Sequence, residues 1–309
     1  MTNAHVSFDL DPIDTHLAGY GIDGPPCDLI YRRSLPRILE LLARLGIRST
    51  FFVVARDAER EAPLLRAAAA AGHEIASHSL SHPIPFVSLP AVERRKELRE
   101  SRQRLEDALS RPVVGFRAPG WDVDEATLDE IAEAGYRYDA SILPSPALLP
   151  GAVLRFVLSA GRKRELSLRR WMRLAFSDVR PHDRGRLREF PLAVSPFLRV
   201  PFTHTLWYVA PAAVCRRIRS AIYRARTPLS YMLHAADLVG LREDGVDTRL
   251  ERHPGMQLSL VEKTALVDGC LREIQRSYEV VPYAEVLSEE SFSRIALDAE
   301  ESSAMVGCR

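Results

Sequence analysis

The sequence contains no C-x-x-C pair; its four cysteines, Cys27, Cys215, Cys270 and Cys308, lie far apart. That spacing argues against a cysteine zinc site and against a disulfide framework. The expectation is reduced thiols in a cytoplasmic protein. No run approaches the roughly 18 apolar residues that a membrane-spanning helix requires. The start, Met1 to His5, has no basic region and leads into a short strand, so it does not read as a signal peptide. Excess charge is missing too. With 42 Lys and Arg against 41 Asp and Glu the formal charge is +1, which makes no case for nucleic acid as a partner. What remains is a 309-residue chain, 46% hydrophobic and 27% charged. A soluble chain of this size can bury a polar cluster without help from disulfides.

Short apolar runs alternate with helix-length amphipathic stretches. Strands are expected at 5–11, 49–54, 73–77, 113–117, 136–141, 187–194, 228–234 and 278–281, with helices at 34–45, 90–109 and 124–134 among the connections. In the first helix Ser34 is the expected cap and Gly46 the stop; in the last, Asp124 and Gly135 take those parts. This alternation argues for an α/β fold with a parallel sheet or barrel. The expected organisation is one barrel domain over 1–287 and a Ser/Glu/Ala-rich tail over 288–309. One segment breaks the charge balance: 147–180 carries eight basic residues against two acidic ones, interleaved with Leu148, Trp171, Met172 and Phe176.

The residues suited to chemistry gather at strand ends. In Ser7-Phe-Asp-Leu-Asp11, alternation puts Ser7, Asp9 and Asp11 on one face and Val6, Phe8 and Leu10 on the other. Two carboxylates that close repel unless a positive group sits beside them. His78-Ser-Leu-Ser-His82 follows the third strand; if the segment turns helically, both imidazoles face one way and can share a cation. Two His and one Asp form a usual ligand set for catalytic zinc, with a position left for water. Arg117, in Arg117-Ala-Pro-Gly-Trp121, is placed to orient a carboxylate through paired hydrogen bonds. His234 ends the strand at 228–234. Each of these residues taken singly has a bland reading as a capped, packed or solvated side chain. Their common position at the C-terminal ends of strands, where barrel enzymes build their sites, favours catalysis.

Taken together these motifs resemble the NodB-homology polysaccharide deacetylases, carbohydrate esterase family four, over roughly Val6 to Tyr283. The resemblance implies a distorted (β/α) barrel of about seven parallel strands. It makes Asp11, His78 and His82 the metal ligands, with Zn2+ as the expected ion. It gives Asp9 the general base, His234 the general acid and Arg117 the orientation of the base. The first motif departs from the usual adjacent aspartates, reading Phe8-Asp-Leu-Asp11, a spacing that resembles a subgroup acting on peptidoglycan-like, lipid-linked or small cyclic amide substrates. The fourth motif matches poorly, with Tyr138-Asp139-Ala-Ser141 in its place. The implied reaction is metal-dependent removal of an N-acyl group, acetyl in the first instance, from an amino sugar of a polysaccharide, glycolipid or lipid-linked precursor. Hydrolysis of a small or cyclic amide or of an N-formyl group is the alternative on the same chemistry. A non-catalytic, metal-containing carbohydrate-binding module is a third reading. The stretch 12–33 reads as a loop serving as substrate lid, with Asp14 and His16 as rival ligands. The basic segment reads either as a helix with a solvated face or as a contact with anionic lipid heads, peripheral to the inner membrane leaflet.

Overall fold

The computed structural model describes residues 2–146 and 174–287. Nine strands lie in one curled sheet: β1 Asn3–Leu10, β2 Thr50–Val53, β3 Glu74–Ser77, β4 Gly115–Phe116, β5 Tyr138–Asp139, β6 His182–Arg184, β7 Leu187–Glu189, β8 Leu229–His234 and β9 Glu279–Val280. Their order is β6-β7-β5-β4-β3-β2-β1-β8, with β9 also on β1. Every pairing is parallel except the β6–β7 hairpin. The expected barrel of parallel strands is the observed fold. Between β7 and β8 single backbone bonds replace a ladder: Leu192 N–H to Ile142 O (2.8 Å), Ala193 N–H to Ser230 O (3.0 Å) and His204 N–H to Met232 O (2.9 Å). The strand expected at 187–194 therefore ends early, and those expected at 113–117 and 136–141 shrink to two paired residues each. β6 was not anticipated; it turns back through Gly185 at φ 57°.

Among the described residues the α-helices are α1 Ile13–Gly19, α2 Leu35–Leu45, α3 Ala62–Ala70, α4 Ala91–Leu109, α5 Glu125–Glu133, α6 Leu206–Val209, α7 Ala212–Ala225 and α8 Leu260–Ser277. Strand alternation divides the core into two layers. Val6, Phe8, Leu10, Phe51, Val53 and Phe116 face outward under the helices, where Ile38, Leu42 and Leu105 meet them. Phe52, Ala76, Tyr138, Ala140, Phe190 and Tyr283 fill the barrel interior. Ser34 does not cap α2. It belongs to a π-helical turn, Ile30–Ser34, and its hydroxyl donates to Ala235 O (2.5 Å), fixing the helix to the turn after β8. Asp124 does cap α5, accepting from Thr127 N–H (2.9 Å).

Gly115 is required by the inner layer. A Cβ there would fall 2.0 Å from Cζ of Tyr138, and the ring cannot retreat among Phe52, Phe190 and Tyr283. Gly115→Ala is expected to lower stability by about 1–3 kcal/mol, the usual cost of overpacking. Urea unfolding measures it; a midpoint equal to the parent's would mean that the ring has room to move.

Candidate active site

β1 and β8 run parallel with Asp9 opposite His234 in register, and β2 brings Phe52 opposite Asp9 on the other side. Asp11 follows one residue beyond β1, and His78 one beyond β3. His78 N–H donates to Val53 O (2.8 Å), so its backbone continues the sheet. Sequence reasoning expected a helical turn to align His78 and His82. The structure has none there. Ser79 and His82 both adopt left-handed φ, 65° and 61°, and the segment is pinned from outside by Glu97 of α4. That carboxylate accepts from Leu80 N–H (2.9 Å), Ser81 N–H (3.0 Å) and Ser81 Oγ (2.6 Å). The tight loop still brings the two rings to 5.0 Å.

Asp11, His78 and His82 converge, with one ligand atom of each within 4.8 Å of the others. Asp11 Oδ1 lies 3.3 Å from His78 Nε2 and 3.5 Å from His82 Nε2. It is buried and accepts no hydrogen bond, a costly state for a carboxylate oxygen. His78 Nδ1 sits 2.7 Å from Arg117 O. A carbonyl only accepts, so Nδ1 carries the proton and Nε2 presents its lone pair to Asp11. A tetrahedral ion with arms of about 2.0–2.2 Å separates its ligands by about 3.3–3.6 Å. The residues fit a divalent cation: orphaned oxygen, fixed tautomer and spacing agree. Burial alone would raise the Asp11 carboxyl, but the imidazoles of His82, His78 and His234 hold it well below its ordinary range. Burial pulls His82 down to about 4 against the attraction of Asp11, while Asp11 and Asp9 outweigh burial at His78 and raise it.

Asp9 sits apart from that cluster, gripped from below. Arg117 Nη1 donates to Asp9 Oδ1 (2.5 Å) and Ser7 Oγ (3.0 Å), Nε to Ala140 O (3.0 Å) and Nη2 to Tyr283 Oη (3.3 Å). The guanidinium is fully buried and lies 4.0 Å over the Phe52 ring. On the opposite side, His234 Nε2 is 3.8 Å from Asp11 Oδ2, and its backbone N–H is held by Asp237 Oδ2 (2.8 Å). All six residues singled out from the sequence meet in one place.

Other expectations are corrected. The stretch 12–33 is not simply a loop: α1 and the π-helical turn occupy much of it. Asp14 pairs with Arg56 (2.5 Å) and is no rival ligand. His16 also stays out of the cluster; its ring meets those of His253 (4.9 Å) and His234 (6.0 Å), and burial depresses it to about 3. Asp139 is buried and accepts from Ser141 N–H (2.8 Å) and Oγ (2.6 Å), while Ser141 Oγ accepts from Ala118 N–H (2.8 Å). Burial raises Asp139 to about 6. Through Ser141 its carboxyl ties the end of β5 to Ala118, the residue after Arg117. Glu97, Tyr283, Asp237 and His253 escaped sequence reasoning, because each acts through the fold and none sits in a local pattern. Most of the basic segment, 147–173, and the tail 288–309 lie outside the described residues. Among the described residues no helix is long and apolar enough to cross a membrane.

Residues 23–138 match the sequence model of the family described as "Polysaccharide deacetylase". The match holds His78, His82 and Arg117; Asp9, Asp11 and His234 join them through β1 and β8. A peptidoglycan deacetylase of Helicobacter pylori is 25% identical over 140 residues, 44% of this chain and 47% of that protein. A chitooligosaccharide deacetylase of Rhizobium leguminosarum bv. trifolii is 31% identical over 132 residues, 41% of this chain and 60% of that protein. The chain spans about half the length of the curated relatives it matches. A solved structure from Mycobacterium smegmatis, titled as a candidate polysaccharide deacetylase, superposes with TM-score 0.56 at 19% identity, covering 90% of this chain and 85% of that one, and shares the fold. Residues 23–138 are thus similar to the polysaccharide deacetylase family, and the curated deacetylases resemble the chain over about half of their own length.

Proposed function

We propose that this protein hydrolyses the N-acetyl group of an amino sugar in a glycan, with Zn2+ held by Asp11, His78 and His82. The observation that carries the reading is the segregation of two carboxylates nine and eleven residues into the chain. Asp11 faces two imidazoles, whereas Asp9 is locked by a buried arginine and left out of the ligand cluster. A site built only to hold an ion has no use for the second acid. The relatives support the substrate class: peptidoglycan and chitooligosaccharides share N-acetylated amino sugars.

A divalent ion supplies activation of water and polarisation of the carbonyl. Asp9 accepts a proton from the attacking water, its orientation set by Arg117. His234, from the neighbouring strand, delivers a proton to the nitrogen as the C–N bond breaks. Each such proton transfer contributes about 10²–10⁴ in rate. The products are a free amine and acetate, so one water is consumed per bond cleaved.

The test is acetate release from N-acetylglucosamine oligomers, run beside N-formyl and cyclic imide compounds. Release from the oligomers, abolished by a chelator and restored by Zn2+, is the expected result. Turnover of the cyclic imides alone would replace the proposal with its alternative. His78→Ala is expected to leave dialysed protein nearly metal-free, as elemental analysis would show; a variant retaining one equivalent would remove His78 from the ligand set. The basic segment 147–180 stays a proposal for contact with anionic lipid at the inner leaflet of a cytoplasmic enzyme. Absence of co-sedimentation with anionic vesicles would end it.

A further inference from the structure

A basic surface remains that the reaction does not use. Between Glu189 and Asp237 the sequence has six arginines and no aspartate or glutamate. Five of the six lie on α7 or just beyond it. Cavities flank the helix on two sides: one of about 420 Å³ lined by Arg216, Arg217, Ser220 and Arg224, the other of about 430 Å³ sharing Ser220 and Arg224 and adding Tyr223 and Arg276. Immediately after the helix, Arg226 enters a third cavity of about 570 Å³ with Arg180, Arg188, Asn3 and His5, under the N-terminal ends of β1, β7 and β8. The first two share Ser220 and Arg224, and Arg226 follows two residues later, so the arginines form a belt along α7 whose last part lies at the opposite end of β1 from Asp11.

Acidic neighbours neutralise only two of these cations. Arg219 pairs with Glu273, and Arg188 with Asp183. Among the described residues no carboxylate pairs with Arg180, Arg216, Arg217, Arg224 or Arg226. Favourable interaction with the helix dipole accounts for basic residues in a last turn; Arg216 and Arg217 stand in the first half of α7 and gain nothing from it. Like charges held this close repel, so the surface is complementary to a polyanion.

We infer that this belt binds a linear anionic polysaccharide, one bearing carboxylate or phosphate groups along its length. The spacing selects a glycan over a nucleic-acid duplex: Arg217 and Arg224 are seven residues apart, two helical turns or about 10.5 Å, which suits groups carried on alternate sugars of an extended chain. The inference does not depend on the proposed reaction.

Binding of the full chain to polygalacturonate and to a phosphomannan tests it and separates the two anion types. Wild type is expected to bind at least one of them at low salt, with affinity falling steeply as salt rises. Arg217→Glu with Arg224→Glu is expected to weaken that binding at least tenfold, while Arg99→Glu on α4 leaves it unchanged. Circular dichroism confirms that the variants fold. The inference is overturned if wild type binds neither polymer, if the paired reversal leaves binding intact, or if the reversal affects only duplex DNA or anionic vesicles. None of these readouts involves turnover, so failure here leaves the deacetylase reading untouched.

Discussion

Asp9→Asn is expected to lower acetate release by about 10²–10⁴, the range ascribed to loss of one general base, while the protein keeps its full metal content. The two readouts separate because the two carboxylates are separate. Asp11 Oδ1 stands 3.3 Å and 3.5 Å from the two histidine Nε2 atoms. Asp9 is 3.9 Å from His78 Nε2 and gives its other oxygen to Arg117. Asparagine keeps an oxygen where Arg117 Nη1 donates, so the strand end and the arginine stay in place; only the capacity to take a proton is removed. Activity is measured on N-acetylglucosamine oligomers and metal by elemental analysis of the same preparation. Normal turnover in Asp9→Asn would sink the base assignment, and loss of metal would mean that Asp9 is itself a ligand.

The residues of this site were legible because strand alternation is a strict rule. Once Val6, Phe8 and Leu10 are taken as the buried face, Ser7 and Asp9 must point into the barrel, and the structure places them there. His78 and His82 were legible as a pair for a reason that proved incorrect. The helical spacing is coincidental, and the rings converge through two left-handed residues braced by Glu97, sixteen positions away from Ser81. No pattern in the sequence announces such a brace. The same limit hid Tyr283. It reaches Arg117 across 166 residues, by way of a C-terminal segment whose pairing with β1 only the closed sheet reveals. Ser34 shows the opposite failure. Its local sequence fits an N-cap, yet a tertiary acceptor, Ala235 O, outcompetes the helix end for its hydroxyl. Parallel strands and amphipathic helices are local information; the elements that close a barrel and the second residues that orient a site are not.

The largest effect on the folded state is expected from Arg117→Leu. This guanidinium is fully buried, yet four acceptors take its protons: Asp9, Ser7, Ala140 and Tyr283. Leucine fills much of the space and removes every one of those bonds. What it leaves is a carboxylate at 2% exposure without its guanidinium, its remaining basic neighbour being the His78 imidazole at 3.9 Å. Breaking a buried pair from one side costs about 3–5 kcal/mol, because the surviving charge is stranded, whereas replacing both partners with apolar groups is often close to neutral. Arg117→Leu alone is therefore expected to lose about 3–5 kcal/mol in urea unfolding and all measurable turnover. Adding Asp9→Leu should restore a large part of the stability and none of the activity. That non-additivity is what a contacting pair produces and what distant sites do not. Arg117→Lys should rescue little, since one ammonium cannot reach Asp9, Ala140 and Tyr283 together. A single variant that costs less than about 1 kcal/mol, against the buried-pair range, or a double variant no more stable than the single, would mean that the contact between Arg117 and Asp9 is not what stabilises this part of the barrel.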